Sequence, residues 1–199
     1  MFEQIVLASN NQGKLREFSR LFAEAGITVL PQSQFAVSEC PEPHVTFVEN
    51  ALAKARHASR HSGLPALADD SGICLPALNG APGVRSARFA GEHAGDADNN
   101  AKVCAALNGE SGAACYYVCL LVLVRHADDP QPLIAEGVWH GRWQQQPSGS
   151  HGFGYDPHFY LPEYGQTAAE LPPEQKNRIS HRALALQTLL QQIRATVDK

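Results

Sequence analysis

Cys115-Tyr-Tyr-Val-Cys-Leu-Leu-Val-Leu-Val-Arg125 is apolar at nearly every position and rich in Val and Tyr. It lacks the polar alternation of a half-exposed strand, so it reads as a central strand buried on both faces. At this length it is far short of the roughly 20 residues a membrane span needs. Asp128-Asp-Pro130 turns the chain, and Leu133 to Trp143 follows as a long antiparallel partner.

Upstream, Gln4 to Ala8 holds the apolar run Ile5-Val-Leu7 and meets the polar cluster Ser9-Asn-Asn-Gln-Gly13, a short strand ending in a loop. Leu15, Phe18, Leu21, Phe22 and Ala25 recur at helical spacing before Gly26, and Ile27 to Leu30 returns as a strand. Thr46-Phe-Val-Glu49 has capping-box spacing and starts a helix at Phe47 that runs to about His61. Ala66-Leu-Ala68 is a small buried strand stopping at Asp69-Asp-Ser-Gly72, and Asn99 to Leu107 is a weaker helix. The last element is a helix from Ser180, with Ala183, Leu186, Leu189, Leu190 and Ile193 as its apolar stripe. With no internal repeat and no low-complexity linker, residues 1–199 read as one mixed α/β domain.

Composition narrows the functional classes. The 199 residues are 44% hydrophobic and 18% charged, which excludes a disordered, collagen-like or coiled-coil chain. A net charge of -4 argues against a long nucleic-acid partner but leaves small phosphorylated ligands open. Met1-Phe-Glu-Gln-Ile-Val6 shows no basic segment before its apolar stretch, so no secretory signal is expected. Cys40, Cys74, Cys104, Cys115 and Cys119 form no CxxC pair and read as reduced thiols of a cytosolic protein.

Four places offer chemistry. Ser9, Asn10, Asn11, Gln12, Gly13 and Lys14 lie where a strand meets a helix N-terminus, a favourable place for an anion; an Asn-rich cap is the alternative. The stretch is not a P-loop, because Ala8 and Leu15 occupy positions that need Gly and Ser or Thr. Asp69-Asp70 ends a strand, and alternation lets only one of the two carboxylates head a given site, as metal ligand or base. Glu42 is a second carboxylate, in the stiff Cys40-Pro-Glu-Pro43 loop. In His151-Gly-Phe-Gly-Tyr-Asp-Pro157, flanking glycines leave a face of Phe153 open for stacking on a flat ligand, with an aromatic turn as the alternative. Lys176 and Ser180-His-Arg182 gather donors at the start of the last helix, where cations oppose the helix dipole. His57 and His61, one turn apart, are expected on solvent, and no HExxH pattern points to zinc.

In order and spacing these blocks closely resemble the inosine triphosphate pyrophosphatase (Ham1-like) family over nearly the whole chain. The likeness runs through Leu7-Ala-Ser-Asn-Asn-Gln-Gly-Lys14, Thr46-Phe-Val-Glu-Asn-Ala51, Ala68-Asp-Asp-Ser-Gly72, Gly80-Ala-Pro-Gly83 with Ser86-Ala-Arg88, Gly152-Phe-Gly-Tyr-Asp-Pro157 and Ile179-Ser-His-Arg182. The resemblance implies an elongated, twisted mixed sheet with flanking helices, two lobes around a central cleft, and a cytoplasmic homodimer. It implies Mg²⁺-dependent hydrolysis of ITP, dITP and XTP to the monophosphate and pyrophosphate, with no polymeric nucleic acid and no membrane as partner. By position, Ser9 to Lys14 becomes the triphosphate loop, and Glu42 and Asp70 the metal-side carboxylates, with Asp70 also the base. Lys54 and Ser71 contact substrate on the same terms. Phe153, Gly154, Tyr155 and Asp156 form the base-side loop, and Lys176, His181 and Arg182 close the base pocket.

His140 and His151 stand where relatives often have Pro and Gly, and Gly109 to Ala114 is short. A Maf-type pyrophosphatase shares the broad architecture, but the Phe153 and Ser180-His-Arg182 blocks argue against it. Joint presence of Lys14, Glu42, Lys54 and Asp70 argues against a catalytically silent nucleotide binder.

Overall fold

The long apolar run folds as expected into a strand, Ala114–Val124, in a computed structural model that describes residues 2–197. In chain order the strands are β1 (Gln4–Leu7), β2 (Thr28–Pro31), β3 (Ala66–Cys74), β4 (Ala114–Val124), β5 (Leu133–Trp143), β6 (Phe159–Leu161) and β7 (Gln166–Thr167). Among the described residues they form one mixed sheet of order β2-β1-β3-β4-β5-β6-β7. β1 is parallel to both β2 and β3, whereas β6 is antiparallel to β5 and to β7. The helices are α1 (Gln12–Ala23), α2 (Phe47–Ser62), α3 (Asp96–Ala106), α4 (Pro173–Ile179) and α5 (His181–Val197).

The chain divides into two compact units that change over inside β3, β4, β5 and α5. One holds the chain up to Asp70, Leu120–Glu136 and the chain from Ala185 onward; the other holds Ser71–Cys119 and Gly137–Leu184. In the first, small residues of α2 (Ala51, Ala55, Ala58) pack with Val6, Ala66, Ala68, Val122 and Val124, so this helix lies close to its strands. Phe18 and Phe22 of α1, one turn apart, are fully buried. The second unit has a heavier core, in which Ile73, Leu75, Val103, Trp139, Trp143, Tyr155, Phe159 and Leu161 come together. Gly141 makes room there, because a Cβ would lie 2.7 Å from Phe159 Cζ and 2.8 Å from the Tyr160 carbonyl oxygen.

Several boundaries differ from the sequence expectation. β3 does not stop at Asp69 but continues to Cys74, since both carboxylates find lysine partners and need no loop or solvent. α1 begins at Gln12 rather than near Leu15, because Asn11 Oδ1 accepts the Lys14 amide and caps it. α3 begins at Asp96, ahead of its apolar positions, with the Gly95 amide donating to Asp98. Ser180 belongs to no helix; its extended backbone separates α4 from α5. Lys176 therefore sits in the last turn of α4, where a cation suits the dipole instead of opposing it.

At Thr46 only half of the capping box forms. The Glu49 amide donates to Thr46 Oγ1 at 3.3 Å, but the Glu49 carboxylate accepts from that same hydroxyl at 2.6 Å rather than from the Thr46 amide. Thr46→Ala removes both bonds and should lower unfolding free energy by about 1 kcal/mol, read from urea midpoints. The five cysteines are free thiols. Burial pushes the Cys115 thiol up to about 12, and raises Cys74 as well. Iodoacetamide at about pH 8 should therefore spare Cys74, Cys115 and buried Cys119 in the native protein and reach all five after unfolding, as counted by mass spectrometry.

Candidate functional site

Two groups of polar residues stand out, one in each unit. In the first unit β3 places Asp69 and Asp70 side by side, and strand alternation sends their carboxylates to opposite faces. Lys14, from the first turn of α1, closes on both Asp69 oxygens at 2.9 and 2.8 Å. Lys54, from the middle of α2, lies 3.4 Å from Asp70 and 2.8 Å from Glu42. Asn50, one turn before Lys54, donates to Asp70 at 3.3 Å and to the His44 carbonyl at 3.3 Å, tying the loop that carries Glu42 to the helix.

Burial pushes the Asp70 carboxyl up; Lys54 opposes that rise and Glu42 adds to it. Burial works against the Lys54 charge, yet the carboxylates of Asp70, Asp69 and Glu42 outweigh it and hold the ammonium above its ordinary value. A cavity of about 220 Å³ opens here, lined by Ser9, Asn10, Lys14, Glu42, Lys54 and Asp69 among others. Ser9 Oγ accepts the Asn11 amide at 3.2 Å, and Asn10 Oδ1 accepts from Gln32 at 2.9 Å. Asn11, Gln12 and Gly13 are exposed. His61 is exposed as expected, whereas His57 is half-buried and lines the cavity.

In the second unit Phe153 is the most exposed aromatic residue of its loop, at 65%, with Lys176 Nζ 5.5 Å from its ring centroid. Asp156 is buried, accepts the Phe153 amide at 2.9 Å and is ion-paired with Lys176. Tyr155 turns inward against Trp143, and its hydroxyl donates to the Ser86 carbonyl at 2.7 Å. Buried His181 stacks on Tyr117 at 4.7 Å with the rings 10° apart, while Arg182 beside it is half-buried. The Tyr117 hydroxyl reaches Asp156 at 3.4 Å. Burial, with the Asp156 charge next to it, holds that phenol well above its ordinary value, so it remains a donor.

Lys14, Glu42, Lys54 and Asp70 thus come together in one unit, and Phe153, Asp156 and Lys176 in the other. Ser71 follows Asp70 on β3, half-buried, in the second unit. His151 is exposed, and exposed His140 lies 5.9 Å from the Tyr116 ring. The sequence reading named the Asp69-Asp70 pair with only one of the two heading a given site, and assigned Asp70; the structure gives each its own lysine, Lys14 for Asp69 and Lys54 for Asp70. Tyr117, Asp96 and Asn100 also hydrogen-bond the loop that carries Phe153 and carried no motif.

A mixed-sheet α/β protein with a lysine–carboxylate cavity and an exposed aromatic loop is the class these features define. More narrowly, residues 5–192 match the model of the Ham1 family, and the chain belongs to that family. A Neisseria meningitidis protein named dITP/XTP pyrophosphatase is 66% identical over 192 residues, 96% of each chain. One of the same name from Chromobacterium violaceum is 63% identical over 195 residues, 98% of this chain and 99% of its own. Among solved structures, a HAM1 protein from Coxiella burnetii has a TM-score of 0.94 and 48% identity, covering 98% of this chain and 100% of its own. The Staphylococcus aureus Ham1 protein has a TM-score of 0.89 and 36% identity, covering 97% and 99%.

Gly152 is required by this geometry. Its φ is +81°, and a Cβ there would overlap Asp156 Oδ2 and come within 2.9 Å of Lys176 Nζ. Gly152→Ala should therefore push the ion pair apart and lower stability by roughly 2 kcal/mol or more, measured by chemical denaturation.

Proposed function

We propose that the chain is a nucleoside triphosphate pyrophosphatase that hydrolyses ITP, dITP and XTP to the monophosphate and pyrophosphate, keeping these nucleotides out of DNA and RNA. The names and full-length identity of its relatives support this. The observation that carries it is the Lys54 bridge linking Asp70 and Glu42 beside a polar cavity. In this reading the two units work as one functional domain. The lysine–carboxylate group takes the triphosphate with Ser9 to Lys14 and Ser71, and the Phe153–Asp156 loop takes the base with Lys176, His181 and Arg182.

The charge balance of the first group calls for a cation. Lys14 and Lys54 are outnumbered by Glu42, Asp69 and Asp70, so a triphosphate alone would meet an excess of negative charge. Among the described residues no cluster of three or more His, Cys, Asp or Glu forms a protein-only metal cage. Hard carboxylate oxygens in a pair fit Mg²⁺, which is usually held by one or two carboxylates plus substrate phosphate. Glu42 and Asp70 would hold it, and the bound ion would supply charge neutralisation at the phosphates.

The residues then orient the reaction. Water adds to the α-phosphorus, the bond from that phosphorus to the bridging oxygen breaks, and pyrophosphate departs. Asp70, its carboxyl already raised by burial, takes the water proton. Lys14 and Lys54 hold the phosphates, and positioning supplies much of the rate. Phe153 stacks on the purine. Donors of His181 and Arg182 pair with a 6-oxo group; adenine's amino group would leave them unpaired, and such sites discriminate by up to ~10⁴–10⁵. A homodimer in the cytoplasm completes the proposal, supported by family resemblance and, for the compartment, by five free thiols.

The test is pyrophosphate release with Mg²⁺ from ITP, XTP, dITP, GTP, ATP and dTTP. Inosine and xanthine nucleotides should lead by a wide margin. Release mainly from dTTP would favour a Maf-type activity, and ITP binding without release a silent binder. Asp70→Asn should reduce kcat about 10²–10⁴-fold while ITP binding stays measurable by calorimetry; wild-type turnover would remove Asp70 as base.

A further inference from the structure

The Phe153 side chain is mostly exposed, so packing does not fix its ring. It stands between Gly152 and Gly154, both with left-handed backbone, at φ +81° and +65°. Glycine visits either hand at little cost, so such a loop keeps its shape only if its peptides are held. Asp156 holds the peptide before Phe153 through the Phe153 amide. The peptides after it are held from outside the loop: Gly154 N–H donates to Asp96 Oδ2 at 2.6 Å, and Asn100 Nδ2 donates to the Gly154 carbonyl at 2.9 Å.

Asp96 and Asn100 are four residues apart on α3, hence on one face of the helix, and both belong to the same unit as the loop. Together they fix the peptide planes on the two sides of the Gly154 Cα and so set both of its dihedral angles. Asn100 is buried, and its amide is oriented by that carbonyl. The Asp96 bond is charge-assisted and short.

We propose that Asp96 and Asn100 are positioning residues that clamp Gly154 and thereby hold the Phe153 ring ready to stack on the purine base; this rests on the function proposed above. Neither residue touches the substrate. Their effect is on binding of the base, by lowering the cost of ordering the loop when the nucleotide arrives.

A merely structural role would disturb every substrate alike, so the test compares ITP with ribose 5-triphosphate, which has the same phosphates and no base. Pyrophosphate release is measured for wild type, Asp96→Ala, Asn100→Ala, the double variant and Asp96→Asn. The double variant should raise KM for ITP about tenfold, with kcat little changed and kcat/KM for ribose 5-triphosphate unmoved. Asp96→Asn, which keeps an acceptor oxygen, should restore most of the loss. Because Asp96 is exposed, Asp96→Ala remains informative even if the Asn100 variants fold poorly. An unchanged KM for ITP, or an equal fall with both substrates, overturns the clamp. If the wild type releases no pyrophosphate from ITP, the proposed function fails by itself. The clamp is then decided by amide hydrogen exchange over residues 153–155, which the double variant should speed about tenfold and which an idle contact would leave unchanged.

Discussion

Two adjacent carboxylates inside a buried strand are the constraint on which the first unit depends. Asp69 and Asp70 are 2% and 7% exposed, and a buried carboxylate without a partner is too costly to keep ionised. Strand alternation sends them to different faces, so each forms its ion pair with a different lysine. Lys14 answers from the first turn of α1 and Lys54 from the middle of α2, which ties two helices to one point of β3. Glu42 then joins through Lys54, and Asn50 binds the preceding loop to the same helix. The fold and the candidate phosphate-side chemistry thus rest on the same ion pairs.

The second unit solves a different problem. Its polar groups lie against a large aromatic core, where Tyr117 touches Phe159 at 4.7 Å, stacks on His181 and reaches Asp156 with its hydroxyl. Side chains locked in this way lose little freedom when a ligand arrives, which suits the base recognition proposed above. Phe153 is the exception: it is exposed rather than packed, and its order has to come from backbone hydrogen bonds instead.

Local signals account for what was legible in the sequence. β4 was readable because an unbroken apolar run suits a strand buried on both faces, and β5 because a turn and a long Val- and Trp-containing stretch follow it. The presence of α1 and α2 followed from helical periodicity, and the left-handed Gly26 and Gly63 lie just past their ends, but the start of α1 did not follow. By contrast, α4 has only seven residues, beginning with Pro173, and no apolar stripe, so its pattern was invisible. β3 looked shorter than it is because Asp69-Asp-Ser-Gly72 resembles a turn until the lysines are placed. Their pairing spans 55 residues for Lys14 and 16 for Lys54, which no local pattern reports.

The same distinction separates the residues named by motif from those found only in three dimensions. Lys14, Asp70, Phe153 and His181 stand in blocks whose order is characteristic, and Glu42 and Lys54 lie within a few residues of one, so a resemblance could mark them. Asp96 and Asn100 meet Gly154 across 58 and 54 residues, through its main-chain atoms. A main-chain partner leaves no complementary side chain to notice, and Asp96 by itself is an ordinary helix-start carboxylate. Residues that place a catalytic or binding group through the backbone are therefore the part of a site least open to sequence reasoning. Under the proposed clamp, the left-handed glycines that flank Phe153 are what make such residues necessary.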